Sequence, residues 1–335
     1  MSSAILLEHE LTPANTLGLP CRAERFAAPA TLGALRELVR LAQHRDWPLS
    51  VLGGGSNLIL PERLPGLVIH PALRYWWLES QGNQSLVHVG AGVEWHPLVM
   101  ALAQRGLWGT ENLALIPGHC GAAPIQNIGA YGVELCDVVA AVQVLFLDTG
   151  RQATLTPEEC AFGYRDSIFK RELQDKAVIT GLTLRLSRTP QPHLAYGDLA
   201  QRVAANPTPL SVAEAVCAIR REKLPDPALL HNAGSFFKNP VVTAEQAQAL
   251  LATSPDMPHF TLKDGQVKLA AGWLIDQCGL KGWKLGHFGV HERQALVLVH
   301  FGGGSADELL AFAKQIAARV ADRFGVVLER EPRLA

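Results

Sequence analysis

The sequence has no run of basic residues, no C-x-x-C pair and no long apolar stretch, and each absence removes a class of protein. Thirty Lys and Arg balance 31 Asp and Glu, for a formal net charge of −1. That balance gives no electrostatic footprint for nucleic acid or for an anionic membrane, so an anionic ligand has to be met by local groups. The six cysteines, Cys21, Cys120, Cys136, Cys160, Cys217 and Cys278, are scattered. They show neither a disulfide framework nor a zinc-ligand spacing, so free thiols in a reducing cytosol and no metal site are expected. The opening residues, MSSAILLEHELTP, lack a basic n-region, and Glu8 and His9 break their apolar run. Neither a signal peptide nor a membrane span is expected there, and cytoplasmic placement follows as the default.

Two motif absences narrow the chemistry. Gly53-Gly54-Gly55-Ser56-Asn57 follows a β-rich run at 48–52 but is not followed by Lys-Ser/Thr, so the Walker A reading loses the lysine that meets the phosphates. The dinucleotide fingerprint G-x-G-x-x-G also fails. What remains is a structural turn or an atypical site where main-chain N–H groups and the Ser56 hydroxyl wrap a pyrophosphate. Ser235 stands in Ala233-Gly234-Ser235-Phe236-Phe237, and without a G-x-S-x-G elbow it does not read as a hydrolase nucleophile.

A third shortage is local. The stretch 117–135, PGHCGAAPIQNIGAYGVEL, carries one carboxylate, Glu134, and no Lys or Arg in nineteen residues. A solvated loop of that length would carry more charge, and the small residues Gly118, Gly121, Ala122, Ala123, Gly129, Ala130 and Gly132 leave backbone uncovered. Burial against a large flat ligand is expected, with Gln126 and Asn127 as amides able to read polar ring atoms.

What is present is an α+β chain of 335 residues, long enough for two or three cores. Helical spacing predicts helices over 31–44, 96–104, 156–162, 211–223, 244–252, 269–278 and Ala306–Phe324. Capping boxes are read at Ser211/Glu214 and Ser305/Glu308, and a terminator at Gly325. Strands are expected at 48–52, 66–70, 74–78, 85–89, 138–147, 178–186, 295–300 and 326–329. The helix at 211–223 presents Arg220, Arg221 and Lys223 on its polar side, which by residue type alone is a solubilising face.

Several motifs occur in register: PIQNIGAYGVEL at 124–135, GYRDSIFK at 163–170, KLPDP at 223–227, HNAGSFFKNP at 231–240 and KLAAGWLIDQCGLKG at 268–282. Together they closely resemble the UDP-N-acetylenolpyruvoylglucosamine reductase family, in its long-loop (type I) form, over about 15–333. The resemblance implies a two-domain FAD-binding fold of the vanillyl-alcohol-oxidase/PCMH type, with a third, substrate-binding α+β domain closing over the sugar nucleotide. The expected division is 1–73 with 325–335, 74–224 and 225–324. It implies FAD and NADPH as cofactors, UDP-N-acetylglucosamine enolpyruvate as substrate, UDP-N-acetylmuramate for peptidoglycan as product, and a monomer that meets neither nucleic acid nor membrane.

Residue by residue, the resemblance carries catalytic roles to Ser235 as proton donor, Arg165 and Glu331. It carries flavin contacts to Gly53, Gly55, Ser56, Asn57, Pro117, Gly118, Ala122, Ala123, Gln126, Asn127, Gly129, Tyr131 and Arg165. Substrate contacts go to Tyr196, Arg220, Lys223, Asn239, Phe260, Gln294 and Arg333. A permanent guanidinium suits a carboxylate that gains charge as an enolate forms. A bare Glu331 would repel that charge, so it is expected to act protonated or through a hydrogen bond to Arg165 or substrate. By residue type alone Ser235 is a turn cap, Arg165 a partner of Asp166 or Glu172, and Glu331 part of a fraying tail.

The sequence departs from the family pattern at four places. Phe260 replaces a tyrosine, Pro332 a valine, and Ala122 and Ala123 serines. Two other readings stay open: an FAD oxidase with His119 attached to the flavin, and a nucleotide-binding module without redox chemistry.

Overall fold

In the computed structural model, residues 3–262 and 264–335 are described. They form two compact units, and the chain passes between them more than once. The first contains residues up to Glu10, Arg22–Ser56 and Leu64–Glu222; the second contains Leu11–Cys21, Asn57–Arg63 and Lys223–Ala335. This partition differs from the expected three parts, because 74–222 shares a unit with most of 1–73, and 325–335 belongs with the C-terminal part.

The first unit holds two larger sheets beside the short pair Gly129–Ala130 and Val133–Glu134. In one, Leu6–Glu10, Arg22–Ala27, Arg63–Ile69 and Leu49–Val51 lie side by side. Helix α1 (Leu32–His44) packs Leu35, Leu38, Val39 and Ala42 with Leu67 and Ile69 of that sheet, as its spacing predicts, and Thr31 accepts from the Ala34 N–H to cap it. The other sheet is antiparallel, in the order Gln152–Leu155, Val139–Phe146, Ala177–Ser187, Gln84–Gly90, Trp76–Gln81. Its central strand is buried continuously from 178 to 184. Helices α2 (Trp95–Ala103) and α3 (Pro209–Lys223) bring Trp95, Leu98, Val99 and Leu102, and Val212, Val216 and Ile219, into one core with Val87, Val142 and Leu182. Each such aliphatic side chain contributes about 1.5–3 kcal/mol of burial.

The second unit has an antiparallel sheet ordered His231–Ser235, Val297–His300, Phe288–Val290, Lys284–Leu285, and a small sheet of Val241–Val242, Val267–Leu269 and His259–Thr261. Around them lie α4 (Ala244–Thr253), α5 (Ala271–Gln277) and α6 (Ala306–Phe324). Leu309, Phe312, Ile316 and Val320 of α6 share a core with Leu17, Leu19 and Ile59, which come from the two early segments. Asn15 shapes the first of these: its Nδ2 donates to Leu11 O, Thr12 O and Leu19 O, and its Oδ1 accepts from Leu19 N–H at 2.9 Å.

Four element expectations are corrected. Residues 156–162 form turns in which Thr156 and Glu159 exchange backbone-to-side-chain bonds, so the local cap forms without a helix behind it. Helix α3 starts at Pro209, and Thr208 exchanges bonds with Ser211, in place of a Ser211/Glu214 box. Val267–Leu269 is strand, which delays α5 to Ala271. No strand forms at 326–329; Arg333–Leu334 instead pairs in parallel with Leu58–Ile59. The α6 bounds, its Ser305/Glu308 box and the left-handed Gly325 stand as expected. Among the described residues no helix is long and apolar enough to cross a membrane.

His300, 1% exposed, ties three parts of the second unit. Its Nδ1 lies 2.8 Å from Leu17 O, and its Nε2 accepts from Gly304 N–H at 2.9 Å. Nδ1 therefore carries the proton and Nε2 is bare, so the folded state needs the neutral ring. Burial pulls its pKa below the usual 6.5, with His231 and His287 adding to that and Leu17 O and Glu308 opposing it. The unfolded chain then binds the extra proton, and this contribution is complete above pH 6.5 and lost as pH falls through the folded value, at up to about 1.4 kcal/mol per pH unit. Urea midpoints at pH 8 and pH 5 test this: His300→Gln is expected to be less stable than wild type at pH 8 and to lose less on acidification. An equal loss in both proteins rejects it.

Candidate active site

The glycine turn after Leu49–Val51 lies against the loop 117–119 within the first unit. A Cβ on Gly54 would fall 2.6 Å from Gly118 Cα, and one on Gly118, at φ +110, would fall 2.8 Å from Ser56 Oγ. Ser56 Oγ donates to Pro117 O at 3.1 Å, and the Trp95 N–H donates to Gly118 O at 2.9 Å. Gly53 meets Ala122, since a Cβ there would lie 3.4 Å from the Ala122 Cβ. Two bare backbone segments thus run in contact, as a pyrophosphate cradle requires. Among the flavin contacts expected here, the structure brings Gly53, Ser56, Pro117, Gly118 and Ala122 together.

His119 adjoins this cradle. Its Nδ1 is buried without a partner in the protein, and its ring centroid lies 5.2 Å from that of His70. Burial, then the His70 charge, lowers its pKa. An orphaned polar atom beside a small-residue cradle fits a bound polar group. Burial raises the Cys120 thiol far above its usual range, which leaves it inert.

Asn127 corrects the expected reading of its side chain. It is fully buried, with Nδ2 donating to Glu134 Oε2 at 2.9 Å and Gly163 O at 3.1 Å, and Oδ1 accepting from Cys136 N–H at 3.0 Å. Its amide is used inside the fold, and at φ 45 it shapes the ribbon instead of reading a ring. Gln126 is half-buried one residue earlier.

Arg165 has φ 53 in the turn between Gly163 and Asp166, and its Nη2 donates to Gly129 O at 2.8 Å. A Cβ on Gly129 would fall 2.9 Å from Glu134 Cγ, 3.0 Å from Arg165 Nη1 and 3.2 Å from Val133 O, so the glycine leaves room for close packing there. Asp166 and Glu172, the partners that residue type suggests for Arg165, both pair with Arg171. The field of Arg165 reaches Arg220, whose pKa is lowered by burial first, raised by Tyr131 and Cys217, and lowered again by Arg165. The Arg220 Nε is buried without a protein partner. Tyr131 packs edge-on against Tyr196, centroids 5.6 Å apart. The first unit therefore gathers Arg165, Arg220, Tyr131 and Tyr196 into one cationic, aromatic site.

The second unit carries another group. Ser235 ends the strand His231–Ser235, opposite Val297, after a register shift at Asn232 and a left-handed Gly234. Asn232 sets that shift: Nδ2 donates to Pro225 O and Leu230 O, and Oδ1 accepts from Gly234 N–H. The C-terminal stretch runs alongside. Glu331 N–H donates to Phe236 O at 2.9 Å, Lys238 N–H to Glu329 O, and Arg333 N–H to Asn57 O at 3.1 Å. Phe236, next to Ser235, is thus tied to the Glu331 strip, and that strip is tied to Asn57 through Arg333. The tail does not fray, and buried Pro332, which has no N–H to satisfy, sits between two residues that donate.

The remaining substrate positions differ in what they leave exposed. Asn239 Oδ1 accepts from Ala271 N–H at 3.0 Å, capping α5, and Gln294 Oε1 accepts from Leu296 N–H. Phe260 is 54% exposed, with the Lys268 ammonium 5.8 Å from its ring centre. Lys223 is exposed at the end of α3. Gly55 is buried with φ 60, and Ala123 is buried in the core.

Sequence reasoning missed Gly54 as the point of closest approach, and it missed the buried trio Thr110, Glu111 and Asn112. The signal for the trio was present: three polar residues between Leu107-Trp108 and the apolar run Leu113-Ala114-Leu115-Ile116.

Comparison with known proteins agrees with this geometry. Residues 23–156 match an FAD binding domain, which with the cradle defines an FAD-dependent oxidoreductase. Residues 226–335 match the C-terminal domain of UDP-N-acetylenolpyruvoylglucosamine reductase. The chain is 49% identical over 329 residues to that reductase from Chromobacterium violaceum, covering 96% of both chains. It is 50% identical to the one from Cupriavidus pinatubonensis, covering 97% and 98%, and 46% identical to the one from Escherichia coli O6:H1, covering 98% and 96%. The crystal structure of the Thermus caldophilus reductase superposes with a TM-score of 0.69 at 26% identity, covering 100% and 99%. The chain belongs to the UDP-N-acetylenolpyruvoylglucosamine reductase family.

Gly54→Ala tests the cradle. It is expected to purify folded, by circular dichroism, with at least a tenfold loss of bound FAD. Gly33→Ala serves as control, because its Cβ would meet only Thr31 Oγ1, at 3.9 Å. Full flavin content in Gly54→Ala rejects the cradle.

Proposed function

We propose that this chain reduces the enolpyruvyl group of UDP-N-acetylglucosamine enolpyruvate to give UDP-N-acetylmuramate, with NADPH as reductant, in the cytoplasm and as a monomer. A bound flavin would supply hydride transfer between the nicotinamide and C3 of the enolpyruvyl group, chemistry that no amino acid side chain performs. Gly53, Ser56, Pro117, Gly118 and Ala122 would hold it, with Gly129 and Tyr131 extending that surface. Arg165 stabilises the carboxylate as charge builds on it, and Arg220 meets an anionic group of the sugar nucleotide.

Ser235 supplies the proton to C2 from its hydroxyl, and Glu331, on the strip that runs beside Phe236, orients the substrate carboxylate region in its protonated form. Lys223, Asn239, Gln294 and Arg333 bind the nucleotide and sugar, with Asn239 and Gln294 using donors left over from their structural bonds. Phe260 covers the substrate by stacking and gives up the hydroxyl contact of the family tyrosine. The observation that carries this reading is near-half identity to named reductases over almost the whole chain, with Ser235 and Glu331 held on adjoining backbone strips.

Stopped-flow half-reactions test it with Ser235→Ala. Flavin reduction by NADPH should stay within about threefold of wild type, while oxidation by the enolpyruvyl sugar nucleotide should slow by a factor on the order of 100 or more. Equal impairment of both halves would remove Ser235 from the proton-donor role. An absence of substrate-dependent NADPH oxidation in the wild type would sink the reductase reading.

A further inference from the structure

Asn112 lies at the centre of the first unit and has no role in the chemistry above. It is fully buried in the 3-10 turn Glu111–Leu113, which is held by Leu113 N–H to Thr110 O at 2.9 Å and by Trp95 Nε1 to Leu113 O at 3.0 Å. Its Nδ2 makes two bonds, to Tyr131 O at 2.9 Å and to His193 O at 2.8 Å. Its Oδ1 has no partner in the protein. The amide orientation is fixed by its neighbours, since a flipped group would press an oxygen against two carbonyls. The residue is thus held for its two donors, which sit at a fixed angle on one planar nitrogen.

Those donors join two segments with little order of their own. Tyr131 has φ 51, and residues 190–195, which lead into Tyr196, belong to no helix or strand. Tyr196 is 52% exposed and meets Tyr131 edge-on. We propose that Asn112 is a positioning residue for the sugar nucleotide: by clamping Tyr131 O and His193 O it sets the spacing of the Tyr131–Tyr196 pair. This rests on the reductase reading.

The test is titration calorimetry of UDP-N-acetylglucosamine enolpyruvate into the purified holoprotein, using wild type, Asn112→Ala, Tyr196→Ala and the double variant. Asn112→Ala should raise Kd about tenfold, the scale of one or two lost hydrogen bonds. Because it acts through Tyr196, it should add nothing to Kd in the Tyr196→Ala background. Its fall in urea midpoint should be the same in both backgrounds. An unchanged Kd, or an undiminished tenfold step in the double variant, overturns the proposal. Asn112→Ser, which keeps one donor, carries the same comparison if the alanine variant does not fold, with an intermediate rise expected. Wild type that binds no sugar nucleotide overturns the reductase reading and this proposal with it, whereas failure of the proposal alone leaves wild-type binding intact.

Discussion

Two backbones can pack Cα against Cα only where no Cβ stands between them, and the first unit's site depends on that constraint at Gly54 and Gly118. Their contact brings the turn 53–56 against the loop 117–119, and the Trp95 N–H then fixes Gly118 from the other side. Trp95 is itself buried in the sheet core. The bare surface is therefore carried by a rigid layer and does not collapse onto itself. A site built this way presents amide dipoles in a fixed direction with little charge nearby, which favours a large neutral ring with a charged tail.

How much of this was legible follows from the range of the forces involved. Helix α6 was readable to the residue, because its cap, its apolar stripe and its terminator are all local. The stretch 326–329 was misread, because its β-rich composition is local while its partners are not. Glu329 and Glu331 bond to residues 236–238, Arg330 bridges Phe237, and a strand pair forms later, between Arg333–Leu334 and Leu58–Ile59. The stretch 156–162 shows the converse error: Thr156 and Glu159 exchange the bonds of a helix cap, yet turns follow, with Cys160 buried in the core and Phe162 packed against it.

The site was legible by residue type and obscure by allocation. Gly53, Ser56 and Gly118 lie together beside Pro117, and Arg165 donates to Gly129 O. Asn127 looks from sequence like a ligand-reading amide, yet its three polar partners are Glu134, Gly163 and Cys136. Which amide serves the ligand and which serves the chain is decided by contacts up to 36 residues apart, and no local pattern encodes that. Asn112 is the mirror case, since nothing in a short Glu-Asn pair announces a clamp on carbonyls 19 and 81 residues away.

The electrostatics follow from the same division of labour. Overall charge is close to zero, so attraction of a trianionic sugar nucleotide cannot come from the whole molecule. It has to come from cations withheld from water. Arg220 is such a cation: burial works against its charge, the neighbouring Arg165 works against it further, and its Nε has no partner in the protein. A guanidinium does not release its proton at any accessible pH, so that cost is retained in the folded chain as a standing preference for an anion. Asp166 and Glu172, the nearby carboxylates in sequence, are held by Arg171. The fold thus keeps these two carboxylates occupied near the surface, while the Nε of buried Arg220 has no partner in the protein.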